Sequence, residues 1–144
     1  MNTATPAIQN LARRLIALES ARAPSDEVVG EAVRACEKLR VPLAKLAGVA
    51  GFRSLLTRAL ALATAEIPWL KSVQVRADGS LEGFDAARLH HGAVPGGEAE
   101  VVLVAQLLGL LVIFIGEPLM LRLVRDAWPD ASVTGMDAGS GERL

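Results

Sequence analysis

Tyrosine is missing from this chain of 144 residues, aromatic residues make up only 3% of it, and it has one cysteine and two histidines. Each shortage excludes something. A single cysteine, Cys36, forbids an intramolecular disulfide, so the fold is not a disulfide-stapled secreted scaffold. Scarce aromatics leave little surface on which bases or sugars could stack. The formal net charge of -1 and a pI near 6.1 give no electrostatic footprint for nucleic acid, and none is expected as a partner.

His90-His91 is the one histidine constellation. Adjacent side chains diverge by about 100° on a helix and point to opposite faces of a strand, and no third ligand stands at a suitable spacing. No metal and no cofactor are therefore expected. Phosphate-binding loops, G-x-S-x-G, H-E-x-x-H and paired C-x-x-C motifs are also absent from the sequence. No catalytic residue can be nominated, and the balance falls against an enzyme. The N-terminus lacks the basic segment and continuous apolar run of a secretory signal, so the expected localisation is cytoplasmic.

What is abundant is aliphatic surface. Hydrophobic residues make up 51% of the chain, enough for one well-filled core built from Leu, Val, Ile and Ala. The longest apolar run is VVLVAQLLGLLVIFIG, Val101 to Gly116, sixteen residues with no charge and Gln106 as the one strongly polar side chain. Sixteen helical residues rise about 24 Å, short of the roughly 30 Å hydrocarbon layer of a bilayer. Extending the run brings in Glu117, Pro118 and Arg122. A central core helix explains the run better than a membrane span. Pro118 and the position of Glu117 predict a break, with helices over Glu98–Ile115 and Pro118–Ala127 aimed differently. Ala105 and Gly109 suit close packing of a neighbour in the core.

Elsewhere the apolar spacing predicts a helix from Pro6 to near Ala23, with Ile8, Leu11, Ala12, Leu15 and Ile16 inside and Arg13, Arg14 and Glu19 in water. A second helix is expected to be capped by Ser25 and to bury Ala32, Val33, Cys36 and Leu39, with Glu31, Arg34 and Glu37 pairing on its solvated face. Pro42 marks a boundary, Gly48 and Gly51 bracket a bend, and a third helix runs from about Phe52 to Glu66. After Pro68, Trp69 and Leu70 read as an apolar plug at one end of the core. The period then falls to two. Val73–Arg76 and Ser80–Phe84, joined by Asp78-Gly79, predict a small β-hairpin over about Val73 to Phe84. Asp85 to Gly97 reads as a loop with one helical turn.

The fold class is therefore mainly α, a compact bundle of about five helices around the apolar helix Glu98 to Ile115, with one small β-hairpin. A single domain is expected over residues 1–128, with a disordered tail at 129–144. Residues 1–71 carry +4 and residues 72–144 carry -5, a division that lets the two halves attract within one fold.

Glu66 and Glu117 are the carboxylates expected to be partly buried, with Arg53, Arg58 and Arg122 as available partners. Gln106, Glu117, Arg53 and Arg58 are the speculative ligand-binding residues. The function expected is a non-enzymatic protein–protein interaction module, an adaptor or regulator whose partner is another protein or a second copy in a homodimer. The alternative is a helical domain that binds a small apolar molecule or lipid in a pocket between the Val101–Ile115 helix and the hairpin. A third reading is peripheral membrane association through release of that helix.

Overall fold

The computed structural model describes residues 4–22, 31–92 and 97–129. The chain is mostly helical, with α1 at Pro6–Arg22, α2 at Glu31–Glu66, a short 3-10 turn at Pro68–Ser72, β1 at Gln74–Val75 and β2 at Leu81–Glu82. Then follow α3 at Phe84–His90, α4 at Glu98–Ile115 and α5 at Glu117–Ala127. β1 and β2 pair antiparallel, with Gln74 opposite Glu82 and Val75 opposite Leu81. The helical bundle with one hairpin is thus the architecture, and the Ser25 cap and the tail beyond Pro129 lie outside the described residues.

α4 is the centre. Every residue from Ala99 to Leu111 is buried, polar Glu100 and Gln106 included. At roughly 1.5–3 kcal/mol for each fully buried aliphatic side chain, this helix makes the largest single contribution to the core. By length and composition alone α4 could cross a membrane, yet 72% of its apolar window is covered by the protein's other elements. The break after Ile115 falls where the sequence places it, and its agent is Gly116. That residue sits at φ 89°, ψ 155°, a backbone region open essentially to glycine, and Pro118 then enters the first turn of α5.

α2 corrects the expected boundary at Pro42. The helix runs through Pro42 and turns at Gly48, at the bend expected there, with φ 80° and ψ 162°. Pro costs a helix interior about 3 kcal/mol. Here buried Leu39 and Leu43, on either side of it, hold the helical path by packing. Gly48 divides α2 into two arms, residues 31–47 and 49–66. The second arm buries Phe52, Leu56, Ala59, Leu60 and Ala63, as its spacing predicts. Cys36 is buried in the first arm, where burial, with a lesser push from Glu37, drives its thiol pKa up to about 12 and leaves it an inert packing residue.

α1 lies across the bundle. Ala4 and Gln9 near its start sit beside Glu66 and Gln106, and Glu19 and Ser20 near its end meet the first arm of α2. This crossing overturns the expectation that Glu19 faces water. Glu19 is 2% exposed. Its Oε2 accepts from the Trp128 indole Nε1 at 2.8 Å and lies 2.5 Å from Lys38 Nζ, while Arg34 Nε donates to Oε1 at 3.1 Å. One carboxylate therefore ties α1, α2 and the end of α5.

The solvated ladder Glu31–Arg34–Glu37 is corrected too. Glu31 is buried and accepts from Ser20 Oγ at 2.8 Å, Arg34 is taken by Glu19, and Glu37 is left to Arg40 at 3.0 Å. Glu100, in the first turn of α4, is buried as well and reaches over to accept the Ala32 backbone N–H at 2.8 Å. Carboxylates thus satisfy groups on neighbouring helices where pairing along one helix was expected.

Burial pushes the Glu19 carboxyl up, but the hydrogen bonds from Lys38, Trp128 and Arg34 and the charge of Lys38 outweigh it and hold it below the ordinary value. A depressed folded pKa contributes stability above the unfolded value of about 4.3, and that contribution is lost as pH falls through the folded value. Glu19→Gln is expected to cost about 3 kcal/mol at neutral pH, since it leaves two cations against the core. Urea unfolding at pH 7 and pH 3 checks it, the gap between wild type and variant narrowing at the lower pH. Gly48→Ala and Gly116→Ala are each expected to cost about 1–3 kcal/mol through backbone strain, read as lowered thermal midpoints.

Candidate functional site

Among the described residues, one cavity lies against the core helix, with a shallower recess of about 290 Å³ beside it between α1 and the start of α4, and a separate groove lies at the 3-10 turn. The cavity, of about 100 Å³, lies between α1, the end of α2 and α4 and is lined by residues that include Arg13, Glu66, Glu98 and Gln106. Gln106 is buried, and its Nε2 donates to Glu66 Oε2 at 3.0 Å. Arg13 lies 3.8 Å from Glu98 across the opening. Polar groups dominate the walls, and the volume suits a few ordered waters better than an organic ligand, for which roughly 300 Å³ is a lower bound.

Of the residues singled out by sequence, this cavity gathers Gln106 and Glu66 and none of the others. Glu117 is half-buried at the first position of α5, on the far side of the Gly116 break. Arg53 and Arg58 are exposed on the second arm of α2. Glu66 is exposed and finds Gln106 where an arginine was expected. Eleven residues of helix alone would set Glu117 about 16 Å along the axis from Gln106, and the break re-aims it as well. The cavity lies against α1, whereas the expected pocket lay against the hairpin.

The groove is open, about 570 Å³ in volume between the 3-10 turn and the end of α3, and is lined by Pro68, Trp69, Lys71, Ser72, His90 and His91. Local sequence explains it. Pro68 starts a tight turn that buries Leu70 in the core and leaves Trp69 half-buried above it. α3 follows Gly83, buries Phe84 and Ala87, and ends with His90 and His91 on the surface. The Trp69 ring stacks on His91 at 5.5 Å with the planes 15° apart and meets Phe84 at 6.1 Å. His90 packs edge-on to His91 at 5.0 Å. Trp69 is therefore in ring contact with both Phe84 and His91.

The groove walls are carbon-rich, the charged or titratable groups among its lining residues are Lys71 and the two histidines, and no carboxylate lines it. Leu89, next to His90, is 69% exposed. No group of three or more metal-ligating side chains occurs among the described residues. The geometry can hold an apolar side chain against an indole and a carboxylate against an ammonium group. By sequence Trp69 reads as a core plug and the histidines as loop residues. The 3-10 turn and α3 bring together side chains that stand far apart along the chain.

The two indoles differ sharply, since Trp128 is fully buried and Trp69 opens on the groove. In a Trp69→Phe variant the remaining emission is expected to be blue-shifted and resistant to acrylamide, and in Trp128→Phe it is expected to be readily quenched. Steady-state fluorescence with an acrylamide titration measures both. Compared with known proteins, the chain matches no protein-family model, no curated protein and no solved structure.

Proposed function

We propose that the chain is a non-enzymatic protein–protein interaction module, an adaptor or regulator acting in the cytoplasm, that seats a segment of another protein in the Trp69 groove. The observation that carries this reading is the stacked, half-buried Trp69 in a carbon-walled groove bordered by Lys71. Tryptophan is enriched among the residues that carry binding energy, and an apolar centre with a polar rim is the usual anatomy of an interface. Because the groove contains Lys71 and no carboxylate, the segment that fits it bears an acidic residue beside an apolar one.

The ligand-binding alternative is weaker. The cavity beside Gln106 is about 100 Å³ and polar, which offers little to an apolar small molecule or lipid.

A photo-crosslinking amino acid at position 89, introduced in the native host, is expected to give one discrete adduct of higher mass. Trp69→Ala in the same chain should remove that adduct while light scattering shows the fold and mass unchanged. A probe at position 58 serves as the negative control. No adduct from position 89, or an adduct that survives Trp69→Ala, would overturn the reading. An adduct of twice the chain mass would identify the partner as a second copy.

A further inference from the structure

Among the described residues, the large exposed apolar side chains away from the groove are Val41, Leu46 and Val49 around the bend of α2 and Ile113 and Phe114 at the end of α4. Ile113 is 71% exposed and Phe114 54% exposed, at the end of a helix otherwise buried from Ala99 to Leu111. The contacts already described place the two groups at one end of the bundle. Glu100 on Ala32 sets the start of the first arm beside the start of α4. Glu66 on Gln106 returns the end of the second arm to the middle of α4. Lys38, packed 5.5 Å over the Trp128 ring, meets the far end of α5, whose near end begins at the close of α4. The Gly48 bend therefore points the same way as Ile113 and Phe114. α1 crosses only the first half of α4 and leaves that end uncovered.

Charge supplies a second, independent observation. Between Glu37 and Glu66 the chain has no acidic residue, while it carries Lys38, Arg40, Lys45, Arg53 and Arg58. Lys38 and Arg40 are engaged by Glu19 and Glu37. Lys45, Arg53 and Arg58 are exposed, with Lys45 beside Leu46 and Arg53 one helical turn from Val49. Of the acidic residues outside α2, Glu117 is half-buried in the opening turn of α5, and exposed Asp78, which accepts from Ser80 in the hairpin turn, is offset by the neighbouring charges of Arg40 and Arg76. Apolar side chains at projecting corners, flanked by lysine and arginine, are the pattern of a surface that rests on anionic lipid.

We propose that the bend end of the bundle, comprising Val41, Leu46, Val49, Ile113 and Phe114 with Lys45 and Arg53, docks on an anionic membrane surface. The occupant is a bilayer bearing acidic headgroups. A second copy meeting this end symmetrically would set like charges against each other, whereas acidic headgroups neutralise them. Docking needs no unfolding of α4, since the residues that touch lipid are already outside. This surface is about 27 Å from the Trp69 groove by the length of the second arm, so it stands independently of the protein-binding reading.

The test is flotation of the full chain with vesicles of phosphatidylcholine alone and of phosphatidylcholine with about 30% phosphatidylserine, in about 0.1 M salt. Binding is expected to the phosphatidylserine vesicles only, and to weaken severalfold in about 0.5 M salt. Lys45→Ala and Arg53→Ala should each lower the affinity about fivefold, the equivalent of roughly 1 kcal/mol per basic residue near the surface. Ile113→Asp with Phe114→Asp should abolish flotation. Phe114→Trp in a Trp69→Phe background gives a readout that keeps the surface apolar, with a blue shift and quenching by brominated lipid expected. No flotation with phosphatidylserine, equal flotation with phosphatidylcholine alone, or emission from the indole introduced at position 114 that lipid leaves unchanged would overturn the proposal. Concentration-dependent dimerisation without lipid, lost in the double aspartate variant, would overturn it in favour of a second copy.

Discussion

The structure depends on the need to cover α4 from Ala99 to Leu111. A helix with no charge and no wet stripe over Val101 to Leu111 must be wrapped there by other elements. The chain does this with two arms of one bent helix, a helix laid across its first half and a return helix folded back from Gly116. The bend at Gly48 and the break at Gly116 are consequences of that need. An unbent α2 of 36 residues would extend about 54 Å and could cover α4 along one side only. Folding it in two supplies two walls from one segment.

Covering α4 so fully forces polar groups inward, and the manner of their satisfaction sets how the helices register. Glu19, Glu31, Glu100 and Gln106 are all buried, and each holds a partner on another helix. Aliphatic packing tolerates sliding, because Leu and Val surfaces are interchangeable over short distances. A carboxylate bound to an indole N–H and two cations is not interchangeable. These contacts therefore specify which of several similar packings is adopted, a role in which buried polar groups offset their desolvation by making the alternatives costly.

Legibility in the sequence follows from the same division. α4, the break after it, the hairpin at Asp78-Gly79 and the buried face Phe52 to Ala63 are readable because periodicity and turn chemistry are local. Glu19 is half readable. It falls on the stripe Ile8, Ala12, Leu15 and its spacing places it inside, but its charge argues for water, and its partners Lys38 and Trp128 lie 19 and 109 residues away. Trp128 carries the complementary signal, since a buried indole requires an acceptor for its N–H. Pro42 misleads in the opposite direction, because packing of Leu39 and Leu43 outweighs a local helix-breaking preference. Of the candidate ligand-binding residues, Gln106 lines the cavity against α1; Arg53, Arg58 and Glu117 are carried away from it by turns whose direction no local pattern encodes.

The distribution of exposed apolar side chains bears on why so aliphatic a chain has so specific a surface. The cover reaches the last turn of α4 on one side only, where Val112 and Ile115 pack against the core, and leaves Ile113 and Phe114 exposed on the other. Beyond the opposite end of the second arm Trp69 is half-buried and Leu89 exposed, although Phe84 and Leu70 beside them are fully buried. Random exposure would scatter such residues singly over the surface. Among the described residues they fall in two groups, one around the Gly48 bend and the end of α4, the other around the 3-10 turn and the end of α3, each with lysine, arginine or histidine nearby. The buried Glu19 and Glu100 contacts, which tie α1, α2, α4 and the end of α5 together, hold those two groups at a fixed separation.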